Sequence, residues 1–275
     1  MRADSAESRR LGAIRRVPLD RTGSRWAVLR EPSGFDEERV GGRSTFEAIQ
    51  LLDRLLCDQP GAAVQPGGAA ALTVAERDVL LAAAWRMAWG AKIAGTLTCD
   101  ACGQPFDFDF NLDTLVDEVR AGAGELPVDD GVYTLPGGCR FRLPTGQDEF
   151  ALAGRELGGE AGVTALLERC VVEGDAVLDG PAVAAAMERV AADLDVDLDA
   201  ACSECGHHHA VRFQIQDYLL GAITSDWSGL HEDIHRLALA YRWSLHEILS
   251  LPRSRRRALV ALLEGDTVAS SWEPG

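Results

Sequence analysis

Two short cysteine motifs constrain this chain more than any other feature of its sequence. The motif Cys-x-x-Cys-Gly occurs at residues 99–103 and again at residues 202–206. This spacing lets two thiolates of one tight turn bind the same metal ion, and the glycine supplies the positive φ that such a turn often requires. Four thiolates are the ligand set of a closed, structural zinc site. We therefore predict one structural Zn²⁺ bound by Cys99, Cys102, Cys202 and Cys205.

The residues on either side of the two motifs are also alike. Each motif is entered by an apparent strand, 93–98 or 194–201, and each is followed by an alternating stretch and then the start of a helix. The alternating positions are Phe106, Phe108 and Phe110 after the first motif, and His209, Val211 and Phe213 after the second. Alternation of this kind predicts strands. The sequence therefore predicts a duplicated β-knuckle-β unit whose two knuckles meet on one metal, as in a zinc ribbon.

Two other interpretations of a Cys-x-x-Cys pair stay open at this point. A redox pair usually lies between a strand and a helix in a thioredoxin-like unit, whereas strands flank both pairs here. The other interpretation is a pair of buried or chance cysteines. The separation between Cys102 and Cys202 is longer than in the usual zinc ribbon. The matching flanks nevertheless favour a shared metal.

Composition narrows the class of protein. Of the 275 residues, 47% are hydrophobic, which is enough for a core in one large domain or two small ones. Three of the seven cysteines lie outside the motifs, and we expect Cys57, Cys139 and Cys170 to be reduced thiols in a reducing cytoplasm. The sequence has no run of about 18 apolar residues and no secretory signal, so we expect no direct membrane insertion.

The charge balance bears on possible partners. The formal net charge is −16, although residues 1–44 and 253–257 are rich in arginine. An acidic surface repels nucleic acid over most of its area. The charge therefore argues against a DNA- or RNA-binding zinc ribbon.

The predicted fold class is α+β, with the duplicated zinc-knuckle β-hairpins forming one zinc-ribbon-like core. The predicted divisions are an extended or disordered N-terminal arm (1–45), N-terminal helices and a linker (46–98), the first knuckle and strand (99–116), a mostly helical insertion with a β-hairpin (117–193), the second knuckle and strand (194–216), C-terminal helices (217–264) and a tail (265–275). Two helix starts, at Thr73 and Ser244, carry a glutamate three residues later and so predict capping boxes. The hairpin is predicted to turn at Pro136-Gly137-Gly138.

Histidines offer two further candidate metal sites. The run His207-His208-His209 directly follows the second knuckle, so one of them is an alternative ligand, the other interpretation being exposed turn residues. His231 and His235 flank Glu232 in the H-E-x-x-H pattern of zinc proteases. A zinc protease also needs a third ligand and an open coordination position; the candidate third ligand, His246, lies past a loop, and the nearby acids of 217–235 form no ligand set.

We predict that the protein is not an enzyme. The sequence contains no G-x-S-x-G, P-loop or G-x-G-x-x-G motif, and no carboxylate pair has the context of a general acid and base. Four thiolates that close the coordination shell of zinc leave no position for a substrate.

The order of these segments resembles the T4-type baseplate protein family, whose members are baseplate hub components or hub assembly chaperones of phage tails and phage-like contractile injection systems. The matching stretches are 72–90 leading into 98–103, then 141–145, 202–206 and 235–257. The last is similar to the family pattern Ala-x-x-Tyr-x-Trp-Ser-x-x-Glu-Ile-Leu followed by a proline and basic residues. The resemblance covers about residues 46–264 and implies a structural baseplate subunit or an assembly factor.

The resemblance also implies partners, namely the baseplate, hub and spike subunits of a contractile tail-like particle, with the protein in the bacterial cytoplasm or built into the particle. Two surfaces are predicted to bind them: the arm 1–45, and a basic cluster that pairs with carboxylates of neighbouring subunits. The cluster consists of Arg253, Arg255, Arg256 and Arg257. The alternative function is a zinc-ribbon regulator that binds nucleic acid, which the charge balance disfavours.

Overall fold

One order of elements occurs twice along this chain. The computed structural model describes residues 13–155 and 158–270, with side chains up to residue 265. The first repeat contains β1 (Ile14–Pro18), β2 (Trp26–Arg30), α1 (Gly34–Glu38), α2 (Thr45–Leu55), a 3₁₀ turn (Ala69–Ala71), α3 (Val74–Trp89), β3 (Lys92–Thr98), β4 (Pro105–Asn111) and α4 (Leu112–Gly122). The second contains β5 (Val128–Asp129), β6 (Val132–Thr134), β7 (Arg140–Arg142), α5 (Gly146–Ala153), α6 (Gly159–Cys170), β8 (Val171–Glu173), α7 (Gly180–Val190), β9 (Asp195–Ala201), β10 (His208–Gln214) and α8 (Ile215–Ser225). A C-terminal extension adds α9 (Trp227–Tyr241), α10 (Leu245–Leu249) and α11 (Arg253–Ser270).

All strand pairs between these elements are antiparallel. Three two-stranded hairpins, β1–β2, β3–β4 and β9–β10, accompany one four-stranded sheet with the order β5-β6-β7-β8. In the second repeat, β7 pairs with β8 through Phe141 and Val171. In the first repeat, the single bridge between Leu29 and Leu56 occupies the equivalent place. The class is therefore α+β with small antiparallel sheets, as the sequence predicts.

The duplication extends beyond the knuckles. The elements β6, β7, α5, α6 and α7 repeat, in order, β1, β2, α1, α2 and α3, whereas β5, β8 and the 3₁₀ turn have no element of the same kind in the other repeat. The repeated elements include the predicted hairpin, whose turn contains Gly138 at φ 89°. The residues expected to form an α-rich insertion are thus the first half of a second copy.

The two knuckle hairpins meet through equivalent residues. Phe110 contacts Phe213 edge-on at 5.0 Å between ring centroids, and Phe106 lies 5.2 Å from the ring of His209. The members of each pair occupy the same position in the two repeats. Contact between equivalent positions is the mark of a two-fold arrangement. The two halves of the chain therefore face each other like the subunits of a dimer.

Residues 13–45 do not form the predicted extended or disordered arm. Val17, Ala27, Leu29 and Val40 are buried in the main core, on the hairpin β1–β2 and the turn after α1. The strands are only five residues long and lie among arginines and glycines, so their periodicity in the sequence is weak. Residues 1–12 lie outside the described part of the chain.

A second motif occurs once in each repeat, directly after β2 and after β7. We call residues 30–37 (Arg-Glu-Pro-Ser-Gly-Phe-Asp-Glu) the first corner and residues 142–149 (Arg-Leu-Pro-Thr-Gly-Gln-Asp-Glu) the second corner. In both, the arginine donates two hydrogen bonds of 2.6 and 2.9 Å to the aspartate six residues later. These bonds from Arg142 hold the pKa of the Asp148 carboxyl well below its usual range. Each corner is thus a fixed turn between a strand and a helix.

Each corner packs against the start of another helix. Gly146 of the second corner donates its N–H to the carbonyl of Leu72, just before α3, at 3.2 Å. Gly34 of the first corner does the same to Leu251, just before α11, at 3.4 Å. A Cβ on Gly34 would lie 3.0 Å from a backbone atom of Leu249, so the close approach requires glycine.

An ion pair accompanies each of these contacts. Arg77, in the first turns of α3, donates to Glu149 at 2.8 Å, and Arg256 of α11 donates to Glu37 at 2.8 Å. Both arginines are buried. The corners therefore use the same polar contact to hold α3 and α11.

These contacts correct the prediction that the basic cluster at residues 253–257 binds neighbouring subunits. Arg253 and Arg256 are buried, and with Arg257 they pair with acidic side chains of this chain rather than facing a neighbour. The partners are Glu37, Asp226 and Asp233. Arg255 is exposed. These arginines fix the C-terminal helices to the first repeat, so as a group they are not the predicted docking surface.

Candidate metal centre

The two cysteine motifs form the same tight turn. The N–H of Cys99 donates to the carbonyl of Gln104 at 2.9 Å, and that of Gly103 donates to Cys99 at 2.8 Å. In the second turn Cys202 donates to His207 at 2.8 Å, and Gly206 donates to Cys202 at 2.9 Å. Gly103 and Gly206 have φ values of 71° and 72°, which residues with a Cβ rarely adopt. The glycine of the motif is therefore required by the turn.

The structure brings together the four cysteines that the sequence selects. The sulfur atoms of Cys99, Cys102, Cys202 and Cys205 all lie within 4.8 Å of one another. Cys99 Sγ is 3.6 Å from Cys205 Sγ, and Cys102 Sγ is 3.9 Å from Cys202 Sγ. A tetrahedron with Zn–S bonds of about 2.3 Å has edges of about 3.8 Å between sulfurs. The four thiols therefore fit a mononuclear Cys₄ metal site.

Burial divides the four thiols into an inner and an outer pair. Cys99 and Cys202 are buried, whereas Cys102 and Cys205 are exposed. The inner pair lies in a small apolar cluster that includes Phe106. The first cysteine of each motif is thus anchored in the protein, and the second closes the site from the solvent side.

The electrostatics of the sulfur cluster favour a bound cation. Burial raises the pKa of the Cys99 thiol, but hydrogen bonds from the backbone of Cys102 and the side chain of His209 lower it to about 6. A backbone hydrogen bond from His207 lowers the pKa of Cys205, but the neighbouring sulfurs, Cys99 first, raise it to about 12. One thiolate thus forms readily, while further negative charge at the site needs a positive ion.

His209 lies beside the site. Its Nε2 atom is 3.3 Å from Cys99 Sγ, and its ring occupies the position that Phe106 has in the first repeat. His208 instead pairs with Asp199 on the exposed face of the hairpin. Of the three predicted histidines, only His209 therefore contacts a cysteine of the cluster among the described contacts. The sequence makes His209 an alternative ligand but does not predict its contact with Cys99.

The other candidate ligands lie elsewhere. His231 and His235 are exposed on α9, and the aspartate between them, Asp233, is buried against Arg256. Within residues 13–155 and 158–265, the four cysteines are the one group of three or more His, Cys, Asp or Glu side chains close enough to hold a metal. Cys57, Cys139 and Cys170 form no disulfide in the structure and lie outside the cluster.

The surface around the knuckles is acidic. Carboxylates alternate along the outer faces of β4 and β9, where Asp107, Asp109, Asp197 and Asp199 are exposed. Lys92 and Arg212 pair with Asp109 and Asp197. Such a surface opposes phosphate binding at the knuckles.

No family model, curated protein or solved structure matches this chain. Among the described helices, none is both long and apolar enough to cross a membrane.

Proposed function

We propose that the four cysteines bind one structural Zn²⁺ that joins the two repeats. The observation that carries this proposal is the mutual approach of all four sulfurs to within 4.8 Å, from two turns about a hundred residues apart in the sequence. Zinc prefers this tetrahedral thiolate set, and its binding free energy adds directly to the stability of the folded state.

The metal test uses the full-length protein and compares cysteine variants. Zinc content per chain is measured by mass spectrometry of the metal, and hydrogen–deuterium exchange is followed in both hairpins. Cys102→Ser should lower the zinc content and raise exchange in the second hairpin, 195–214, because both hairpins share the ion. Cys57→Ser is the matched control, since Cys57 is a free thiol outside the cluster. Full protection of 195–214 in the Cys102→Ser variant would contradict a shared metal.

We further propose that the protein is a non-enzymatic subunit or assembly factor of the baseplate of a contractile injection system. The resemblance of 72–90, 98–103, 141–145, 202–206 and 235–257 to the T4-type baseplate family supports this role. A zinc ion with four thiolate ligands has no open position for a substrate, which supports a structural role.

The baseplate test compares particles from wild-type cells with particles from cells that lack the gene. A baseplate subunit should co-purify with assembled particles, whereas an assembly factor should be needed for assembly but absent from the finished particle. Complementation with the wild-type gene is the control. If cells without the gene still make intact particles that contract, the baseplate proposal is wrong, whatever the metal content of the protein.

A further inference from the structure

Three helices of this chain start in the same way, but the described residues contain only two corners. In each repeat, one helix lies directly before the first strand of the knuckle hairpin: α3 in the first repeat and α7 in the second. The third is α11. A leucine precedes the N-cap position at each start: Leu72 before α3, Leu178 before α7 and Leu251 before α11. The second corner covers the start of α3, and the first corner covers the start of α11. The start of α7 has no such cover among the described residues.

Exposure of the leucines follows this difference. Leu72, under the second corner, is 2% exposed, whereas Leu178 is 79% exposed. Its neighbour Val177 is 71% exposed. These are the two most exposed large apolar side chains that the structure describes. Adjacent exposed apolar side chains at a position that is covered in the other repeat indicate a missing partner.

Val177 and Leu178 form the exposed tip of this helix start, and the tip is held in a fixed conformation. The carboxylate of Asp175 accepts hydrogen bonds from the N–H groups of Val177 at 2.8 Å and Leu178 at 3.1 Å. The carboxylate of Asp179 accepts one from the N–H of Asp175 at 2.9 Å. A preorganised tip loses little conformational entropy when a partner binds.

We propose that the start of α7, with Val177 and Leu178 at its tip, binds a corner of a partner protein. The partner segment is a strand followed by Pro-Ser/Thr-Gly, as in the two corners of this chain. Its glycine N–H donates to the carbonyl of Leu178, as Gly146 donates to Leu72, and its apolar surface covers Leu178. The partner is a different protein, because both corners of this chain are already paired within it.

The sequence of α7 shows that the partner does not need the glutamate that both corners of this chain carry. The fourth residue after the N-cap is Arg77 in α3 and Arg256 in α11, and both pair with the corner glutamate. The same position in α7 is Val183, which is buried in the second repeat. Recognition therefore rests on the glycine and the apolar contact, and binding does not need a glutamate in the partner.

The test measures binding of a peptide with the sequence of residues 140–150, which contains the second corner, to the full-length protein. Methyl NMR on protein labelled at valine and leucine reports the site. The signals of Val177 and Leu178 should shift as peptide is added up to its solubility limit. A control peptide with Val in place of Gly146 should cause no shift, because in the first repeat a Cβ at Gly146 would lie 3.2 Å from the carbonyl oxygen of Ala70, two residues before Leu72. In the protein, Leu178→Asp should abolish the shift of the Val177 signals, and Leu239→Asp, at an exposed leucine on α9, should not.

Two results would overturn the proposal. One is the absence of shifts at 177 and 178 at the highest peptide concentration, or equal shifts with the control peptide. The other is concentration-dependent self-association in light scattering that Leu178→Asp abolishes, because the tip would then be covered by a second copy. The folded state of each variant is checked by its methyl spectrum, and Leu178 is exposed, so the substitution should not disturb the core.

Discussion

Replacing Arg256 should destabilise the protein far more than replacing its neighbour Arg255. Arg256 is 0% exposed and donates hydrogen bonds of 2.8 to 3.1 Å to Glu37 and Asp233, which are also buried. Arg256→Met leaves these two carboxylates without that partner. Removing one member of a buried ion pair typically costs about 3–5 kcal/mol. Arg255 is exposed, and surface substitutions usually change stability by less than about 0.5 kcal/mol.

Urea denaturation of the zinc-saturated protein measures the difference. With slopes of about 1–3 kcal/mol per molar urea, and larger ones for long chains, the midpoint of Arg256→Met should fall by about 1 M or more. The midpoint of Arg255→Met should stay close to that of the wild type. Adding Glu37→Gln to Arg256→Met should recover part of the loss, because it removes a buried charge that keeps only Arg253 as its partner. Equal midpoints for the two single variants would refute the internal role of Arg256.

Three further predictions concern single side chains. Burial raises the pKa of Asp78 to about 7, so the folded state retains a proton that the unfolded state releases above about pH 4. The free energy of unfolding should therefore fall as the pH rises from about 4 to about 7, and Asp78→Asn should weaken this dependence in thermal denaturation. Ser244 and Glu247 form the predicted capping box, so Ser244→Ala should cost about 1 kcal/mol, and a loss below a few tenths would show that the cap contributes nothing. His209→Phe, which copies the first repeat, should keep the zinc but release it faster to a chelator, because Cys99 loses a hydrogen bond; loss of the zinc itself would make His209 a ligand.

Local chemistry made much of the fold predictable. The capping box at Thr73, the end of α3 at Gly90 and the hairpin turn at Gly138 each follow from a few adjacent residues whose conformational preferences agree. The knuckle strands were predicted for the same reason, because alternation continues for seven residues on both sides of each turn. Where several local signals agree, the sequence determines the element.

Contacts between distant segments were not predictable in this way. The ion pair of Arg256 with Glu37 joins residues separated by 219 positions, and nothing near either residue in the sequence indicates the other. The local sequence of a basic cluster is the same whether the arginines face solvent, a partner or a buried acid. The corner motif was a usable signal: alignment of residues 30–37 with 142–149 would have revealed that the duplication includes the N-terminal hairpin.

The metal site depends both on local motifs and on a contact between distant segments. Each cysteine pair is a local motif, and the spacing alone predicts a turn that presents two thiols on one side. That the two turns meet depends on the packing of equivalent residues such as Phe110 and Phe213 between the hairpins. The matching flanks predicted this meeting because like units pair readily across a two-fold axis. The contact of His209 with Cys99 breaks that symmetry and needed the structure.

X-ray absorption at the zinc edge of the purified protein tests the shared Cys₄ zinc site most directly. Zinc bound by Cys99, Cys102, Cys202 and Cys205 should give four sulfur neighbours at about 2.3 Å and no nitrogen or oxygen neighbour. Three sulfurs with one nitrogen at about 2.0–2.1 Å would contradict the Cys₄ set and place His209 in the coordination shell. Protein that contains no zinc would contradict the metal centre itself.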